Sequence, residues 1–356
     1  MRWQLVAAAA LWMATAAAAA DPIAVRLWPG GGVTVETMDG PAVAVDVPSA
    51  LMNEPEFAAT KAAVQINGWS TSGAFRADRV SVKSSPAPGQ STLLEVDELR
   101  LLFVRDADQL LTALKEDATK DPLGTIHAAL LPAAGSWTGS VGEVLDRLGP
   151  SVRLVVLPVT AENAPDGVTQ VPHNTVAVPA SGDAAVRRVA LTTTPYRMSD
   201  EVAALFEAKE KASAASQAVF AKLSAAQMSH EPADGSHTPR WNAEHIRGTE
   251  LLFFSQIFNA VDPAVPVMNR MPKQMPPQYA PAHPEWSGRE EAAATARVQA
   301  FTRRYAYLLD GLDLDTKAPG SRFWTPRALL KQMDRHIGQH TANVQKKFEA
   351  DDWPKE

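Results

Sequence analysis

T-P-R-A-L-L-K-Q-M-D-R-H-I-G-Q-H-T-A-N-V-Q-K-K-F, residues Thr325 to Phe348, reads as the last long helix of the chain and carries His336 and His340. The Thr325 hydroxyl can accept a backbone N–H as an N-cap, and Pro326 suits the first turn, where its missing N–H removes no helical hydrogen bond. At 3.6 residues per turn, the i, i+4 spacing puts both imidazoles on one face about one turn apart. A helix presents two nitrogens to one metal ion in this way. Leu329, Met333, His336, His340 and Val344 step along that face, so the histidines are expected to point into a packed interior.

A pair at this spacing also arises by chance among eight histidines, so a metal site needs a third ligand from a facing helix. The segment W-N-A-E-H-I-R-G-T-E-L-L-F-F-S-Q-I-F, from Trp241, offers His245. Trp241, His245, Leu252 and Phe253, with Gly248 or Thr249 between them, form its expected apolar side. Three neutral nitrogens from two helices leave at least one coordination position open, as in catalytic rather than closed structural sites. Glu244 and Glu250 flank His245. Glu244 is the candidate for an acid/base or supporting role, and its bland alternative is a solvated helix-face residue. Imidazole discriminates poorly among divalent ions, so zinc is the first expectation and nickel, iron or manganese are also admissible.

Outward from these two helices, Ser199 caps a helix with Val202, Leu205, Phe206, Val219 and Phe220 on its apolar face. Ser287 and Glu290 make a capping box for another, running to about Leu309 with Val298, Phe301, Tyr305 and Leu308 inward. His230 and His237 fall in a polar loop, where they are expected to be solvated. The proline-rich stretch 262–286, with His283, reads as a long crossover connection. Four helices, one long connection and histidines on the second and fourth describe a bundle with a metal site in its core. Residues 198–356 resemble the DinB/YfiT-like family of four-helix bundles. The resemblance implies a divalent metal held by one histidine of the second helix and an H-x-x-x-H pair of the fourth, here His245, His336 and His340. Trp241 at the start of the second helix is also similar. The family often sets its first histidine further from that tryptophan, where this chain has Gly248 or Thr249. Because the family includes thiol-transferring enzymes, hydrolases and isomerases, the resemblance implies a site and not a reaction.

Residues 21–196 change character: short alternating strands surround Gly30 to Gly32 and a turn at Asp39-Gly40. A strand pair lies in T-L-L-E-V-D-E-L-R-L-L-F-V, and a helix over Ala107 to Glu116. I-H-A-A-L-L-P, V-G-E-V-L-D-R-L and V-R-L-V-V-L-P follow as strand, helix and strand. This order predicts an α/β sandwich, and its layout resembles the metallo-β-lactamase fold. Asn67, Trp69, Thr71 and Ser72 occupy the places of that family's ligand motif, Val159-Thr160 replaces an expected histidine, and only Asp106 remains as a ligand. The expectation is a scaffold that has lost its metal; the alternative is an unrelated α/β domain with no site. His127 and His173 have no partner at ligand spacing and read as structural or surface residues.

The first twenty residues carry Arg2, an apolar alanine-rich run and small residues at 18 and 20, the order of a signal peptide cleaved before Asp21; an uncleaved anchor is the alternative. Export to the periplasm or beyond is expected. No other segment approaches membrane-spanning length. The formal charge of −6 becomes one unit more negative without the leader, which argues against nucleic acid as a partner. With no cysteine, the chain has neither disulfides nor thiolate chemistry. Two functions stand at this point: a metal-dependent enzyme acting on a small molecule, of transferase or hydrolase type, or a non-catalytic envelope protein whose bundle holds a metal only for stability.

Overall fold

The computed structural model describes residues 22–38, 42–58, 60, 62, 64–66, 73–77, 80–87, 91–96, 99–104, 106–116, 125–131, 141–148, 152–158, 167–179, 186–272 and 278–355. The leader, the Asp39-Gly40 turn, Asn67, Trp69, Thr71, Ser72 and Val159-Thr160 lie outside these residues.

Two sheets form the first half. One has the order β12-β1-β2-β3-β4, from β1 (Ile23–Leu27), β2 (Val33–Glu36), β3 (Val43–Val45), β4 (Val64–Ile66) and β12 (Thr175–Val178). The other runs β11-β13-β10-β9-β8-β7-β6-β5, from β5 (Gly73–Ala77), β6 (Val80–Ala87), β7 (Ser91–Val96), β8 (Leu99–Phe103), β9 (Ile126–Leu130), β10 (Val152–Pro158), β11 (Thr169–Val171) and β13 (Arg187–Leu191). Strands β8, β9, β10 and β13 pair in parallel, and the strand–helix–strand reading of the sequence rests on this alternation. Side chains alternate faces, so Val25, Val35, Val176 and Val178 meet Leu94, Leu101, Phe103 and Val156 between the sheets. Helices α2 (Ala107–Glu116) and α3 (Val141–Leu148) belong to the second core, where Leu110, Leu111 and Leu148 pack with Leu102, Ala129 and Val155 of the larger sheet. Asp106 does not stand ready for a metal: its two carboxylate oxygens accept the backbone and side-chain N–H groups of Gln109, each at 3.0 Å, at the start of α2.

The second half is a bundle of α4 (Asp200–Phe220), α6 (Pro239–Val261), α7 (Gly288–Arg304) and α8 (Pro326–Gln345). The short helices α1 (Pro55–Ala58) and α5 (Ala225–Met228) were not legible as periodic patterns. The expected caps are present: Ser199 accepts from Val202 N, Thr325 from Ala328 N, and Ser287 with Glu290 forms the capping box. α6 begins earlier than Trp241, because Thr238 caps it and Pro239 takes its first turn. α4 packs on α7 and α8, and α6 packs on the same two, so α4 and α6 face each other across the bundle's diagonal. Along that diagonal the fully buried Lys209 of α4 donates to Glu250 of α6, and Thr302 of α7 donates to the same oxygen.

Several side chains of α6 hold the connection that follows it, and Arg240 makes the most bonds to it. Arg240, 1% exposed, donates to the carbonyls of His283, Pro284 and Trp286 at 2.8, 3.1 and 2.7 Å and to the Glu291 carboxylate at 2.9 Å. The connection also crosses α6 at Gly248, where a Cβ would stand 2.7 Å from Met271 Cα and 2.9 Å from the Arg270 carbonyl. Only a residue without a side chain permits that crossing, so the Gly248 position that departs from the family's pattern is accounted for by packing. Gly248→Ala should lower the stability of the protein by about 1–3 kcal/mol, because backbone and not a flexible side-chain end must move. Denaturant titration checks this; a midpoint equal to that of the parent protein would show the crossing to be loose.

Among the described residues the two halves are in contact. Ala24 of β1 and Ala177 of β12 are paired in register and join Met38 in the bundle's core, on the face opposite the valines of the sandwich. Glu36 is clamped by Arg26 at 3.0 Å and by Arg304, the last residue of α7, at 2.9 Å. Arg187 pairs with Asp262 at 2.7 Å. His173 packs against Tyr307 and Tyr196, and burial pushes its pKa down to about 4, so it is a neutral structural residue as expected. No helix of the described residues is long and apolar enough to cross a membrane.

Candidate metal centre

The histidines stand on two helices that pack side by side. The buried line of α8 is Leu329, Leu330, Met333, Ile337 and Val344, all at 0% exposure. His336 and His340 flank this line and are half-buried, which corrects the expectation that they point into the packed interior. The most buried stripe runs through Ile337, and helical rotation of about 100° to His336 and about 60° to His340, on the same side, sets the imidazoles at its edge. α6 differs likewise from its expected stripe: Leu252 and Phe253 are only half-buried, and the core takes Ile246, Leu251, Phe254, Ile257 and Phe258.

His245, His336 and His340 come together, each offering a ring nitrogen within 4.8 Å of the others. His245 Nε2 and His336 Nε2 are 3.2 Å apart. Two ligands about 2.0–2.1 Å from one tetrahedral ion lie about 3.3 Å apart, so this pair already has the separation that a shared ion requires. The same separation also serves an N–H···N hydrogen bond between imidazoles. Burial is the main cause that lowers the pKa of all three, with mutual charge repulsion adding to it for His245 and His340: His245 falls to about 4 and His340 to about 3, while Arg335 contributes for His336. The neutral imidazole is the form that ligates a metal, and here it is the resting form near neutral pH.

Two residues of the first turns of α6 orient the rings. Trp241 stacks on His245, with ring centroids 4.5 Å apart and planes 11° from parallel. Asn242, 1% exposed, places Oδ1 2.7 Å from His340 Nδ1. Sequence reasoning noticed Trp241 and passed over Asn242, although its position three residues before His245 sets it one turn away on nearly the same face. His237 is half-buried rather than solvated, packs on the indole of Trp241 with centroids 3.8 Å apart, and adds to the lowered pKa of His245 and His340. His230 is also half-buried, 3.6 Å from Asp352, while His283 stacks on Trp286.

Glu244 is not brought to the histidines. Neighbours on a helix point about 100° apart, so Glu244 cannot share the face of His245. Its Oε1 accepts the N–H of Ala282 at 3.1 Å and lies 3.6 Å from Arg247, which in turn pairs with Glu291. This carboxylate therefore fastens the connection. Glu250 is committed to Lys209. Among the described residues no carboxylate joins the three nitrogens within 4.8 Å.

Residues 209–344 match the sequence profile of the DinB superfamily, and that span contains all three histidines. No curated protein matches the chain in sequence. Among solved structures, the chain is similar to a putative zinc-dependent hydrolase of the metallo-β-lactamase superfamily from Thermotoga maritima. That likeness has 13% identity, covers 48% of this chain and 98% of that one, lies in the N-terminal half, and has a TM-score of 0.31.

Proposed function

We propose that the DinB-like half of this chain holds one divalent metal ion, zinc first among the admissible ions, through His245, His336 and His340, and serves an exported metal-dependent enzyme acting on a small molecule. The observation that carries the proposal is the convergence of three imidazoles from two helices. Their half-buried position at the edge of the core supports access for a ligand from solvent. A divalent ion with an open position supplies Lewis acidity to an oxygen or sulfur bound there. The protein's own part is to keep the rings neutral by burial and to orient them through Trp241 and Asn242. Transferase and hydrolase chemistry both fit such a centre, and Glu244, the candidate acid/base group, has its Oε1 bonded to the Ala282 N–H and 3.6 Å from Arg247.

One observation favours the non-catalytic reading, a metal held for stability in an envelope protein: no carboxylate stands at the centre to move a proton among the described residues. The metal content of purified protein, combined with the number of exchangeable water ligands on the bound ion, tests both. One equivalent of metal with at least one exchangeable water is expected. Metal-free protein that takes up no zinc, nickel, iron or manganese would overturn the proposal, and a bound ion without exchangeable water would leave only the stabilising role.

A further inference from the structure

We propose that Asn242 selects the tautomer of His340, holding the proton on Nδ1 and leaving the Nε2 lone pair for the centre. The inference rests on the metal-site reading for its purpose, but its chemistry is set by three hydrogen bonds of Asn242 itself. Nδ2 donates to the carbonyl of Thr238 at 2.8 Å and to that of His237 at 3.3 Å. Carbonyl oxygens only accept, so both must meet the NH2 end of the amide, and the end that faces His340 is the oxygen. Oδ1 in turn only accepts. His340 Nδ1, 2.7 Å away, must carry a hydrogen, and a neutral imidazole has one. Nε2 is then unprotonated.

The site of this selection is the start of α6. Thr238 is its N-cap residue, its carbonyl accepts both the backbone and side-chain N–H of Asn242, and the amide is nearly free of solvent. An amide pinned at a helix start does not rotate to offer its NH2 end to His340. Asn242 is therefore a positioning residue: one turn of α6 contributes His245 and orients a histidine of the neighbouring helix.

Two variants separate this role from support of the helix. Asn242→Asp keeps an oxygen toward His340 and loses both donors to the carbonyls of residues 237 and 238. Asn242→Leu loses both functions. Nitrogen-15 NMR of the imidazoles in metal-free protein reads the tautomer, and competition with a chromogenic chelator reads zinc affinity. The expected result is Nδ1–H on His340 in the parent protein and in Asn242→Asp, and mixed tautomers in Asn242→Leu. Zinc affinity is expected to fall about 10–100-fold in Asn242→Leu and to stay within a few-fold of the parent in Asn242→Asp. Nε2–H on His340 in the folded parent protein would overturn the inference. Equal zinc affinity loss in both variants would overturn it too, since that pattern reports a frayed helix start. If the parent protein binds no metal, the function proposed above fails while the tautomer measurement still decides the role of Asn242.

Discussion

His336→Ala is expected to abolish tight metal binding. Its Nε2 lies 3.2 Å from that of His245, so its removal leaves two nitrogens where three converge. The loss should exceed the roughly 10–100-fold that removal of a supporting hydrogen-bond partner costs, because a ligand itself is gone. The imidazole is only half-buried and the fully buried Met333 and Ile337 beside it are untouched, so the metal-free protein should keep its fold. Chelator competition reports the affinity, and circular dichroism reports the fold. One equivalent of metal retained at unchanged affinity would rule out the triad. A variant that binds metal normally but is less stable would mark His336 as a packed structural residue.

The largest stability effect is expected at Glu250. Glu250→Leu strands Lys209, which has 0% side-chain exposure and no other carboxylate assigned to it among the described residues, and should cost about 3–5 kcal/mol. Total stability of a domain is about 5–15 kcal/mol, so this one change would remove a large share of it. Replacing both partners, Lys209→Met with Glu250→Leu, should recover most of the loss or exceed the parent by about 1–4 kcal/mol, since no charge remains to be buried. The single and double variants form a cycle readable by denaturant unfolding. A single variant within 1 kcal/mol of the parent would show that water or another group reaches Lys209.

The parts of the molecule legible in the sequence were those fixed by local chemistry. Thr325 with Pro326, Ser287 with Glu290, and Ser199 announce helix starts through groups that satisfy neighbouring backbone N–H, and the structure has all three. The i, i+4 pair His336 and His340 needs only helical geometry to share a face, and His245 is the histidine that a facing helix offers to complete it. Destinations were harder. Glu244 lies next to His245 in the chain, yet its carboxylate is claimed by Ala282, a contact between residues whose approach depends on where the connection lands. Asn242 acts through its distance to His340, a residue of another helix. The same holds for the strands: the β7 and β8 hairpin was readable, whereas β12 joins β1 from the far end of the half through pairing that no local pattern encodes. On α8, periodicity located the apolar face but not its centre: Leu329, Met333 and Val344 are buried as read, while Leu330 and Ile337 draw the buried line away from the histidines and leave these at its edge.

The paired alanines Ala24 and Ala177 carry a consequence for how this chain can be altered or recombined. Strands β1 and β12 each face two ways, valines inward to the sandwich and an alanine outward to the helices. A larger side chain at either alanine would wedge the halves apart, and a helical half transplanted alone would carry Arg304 without Glu36 and an uncovered apolar floor. The histidine-bearing bundle is thus not a cassette. Its lower wall is encoded in the sheet strands, and the two halves are constrained to change together.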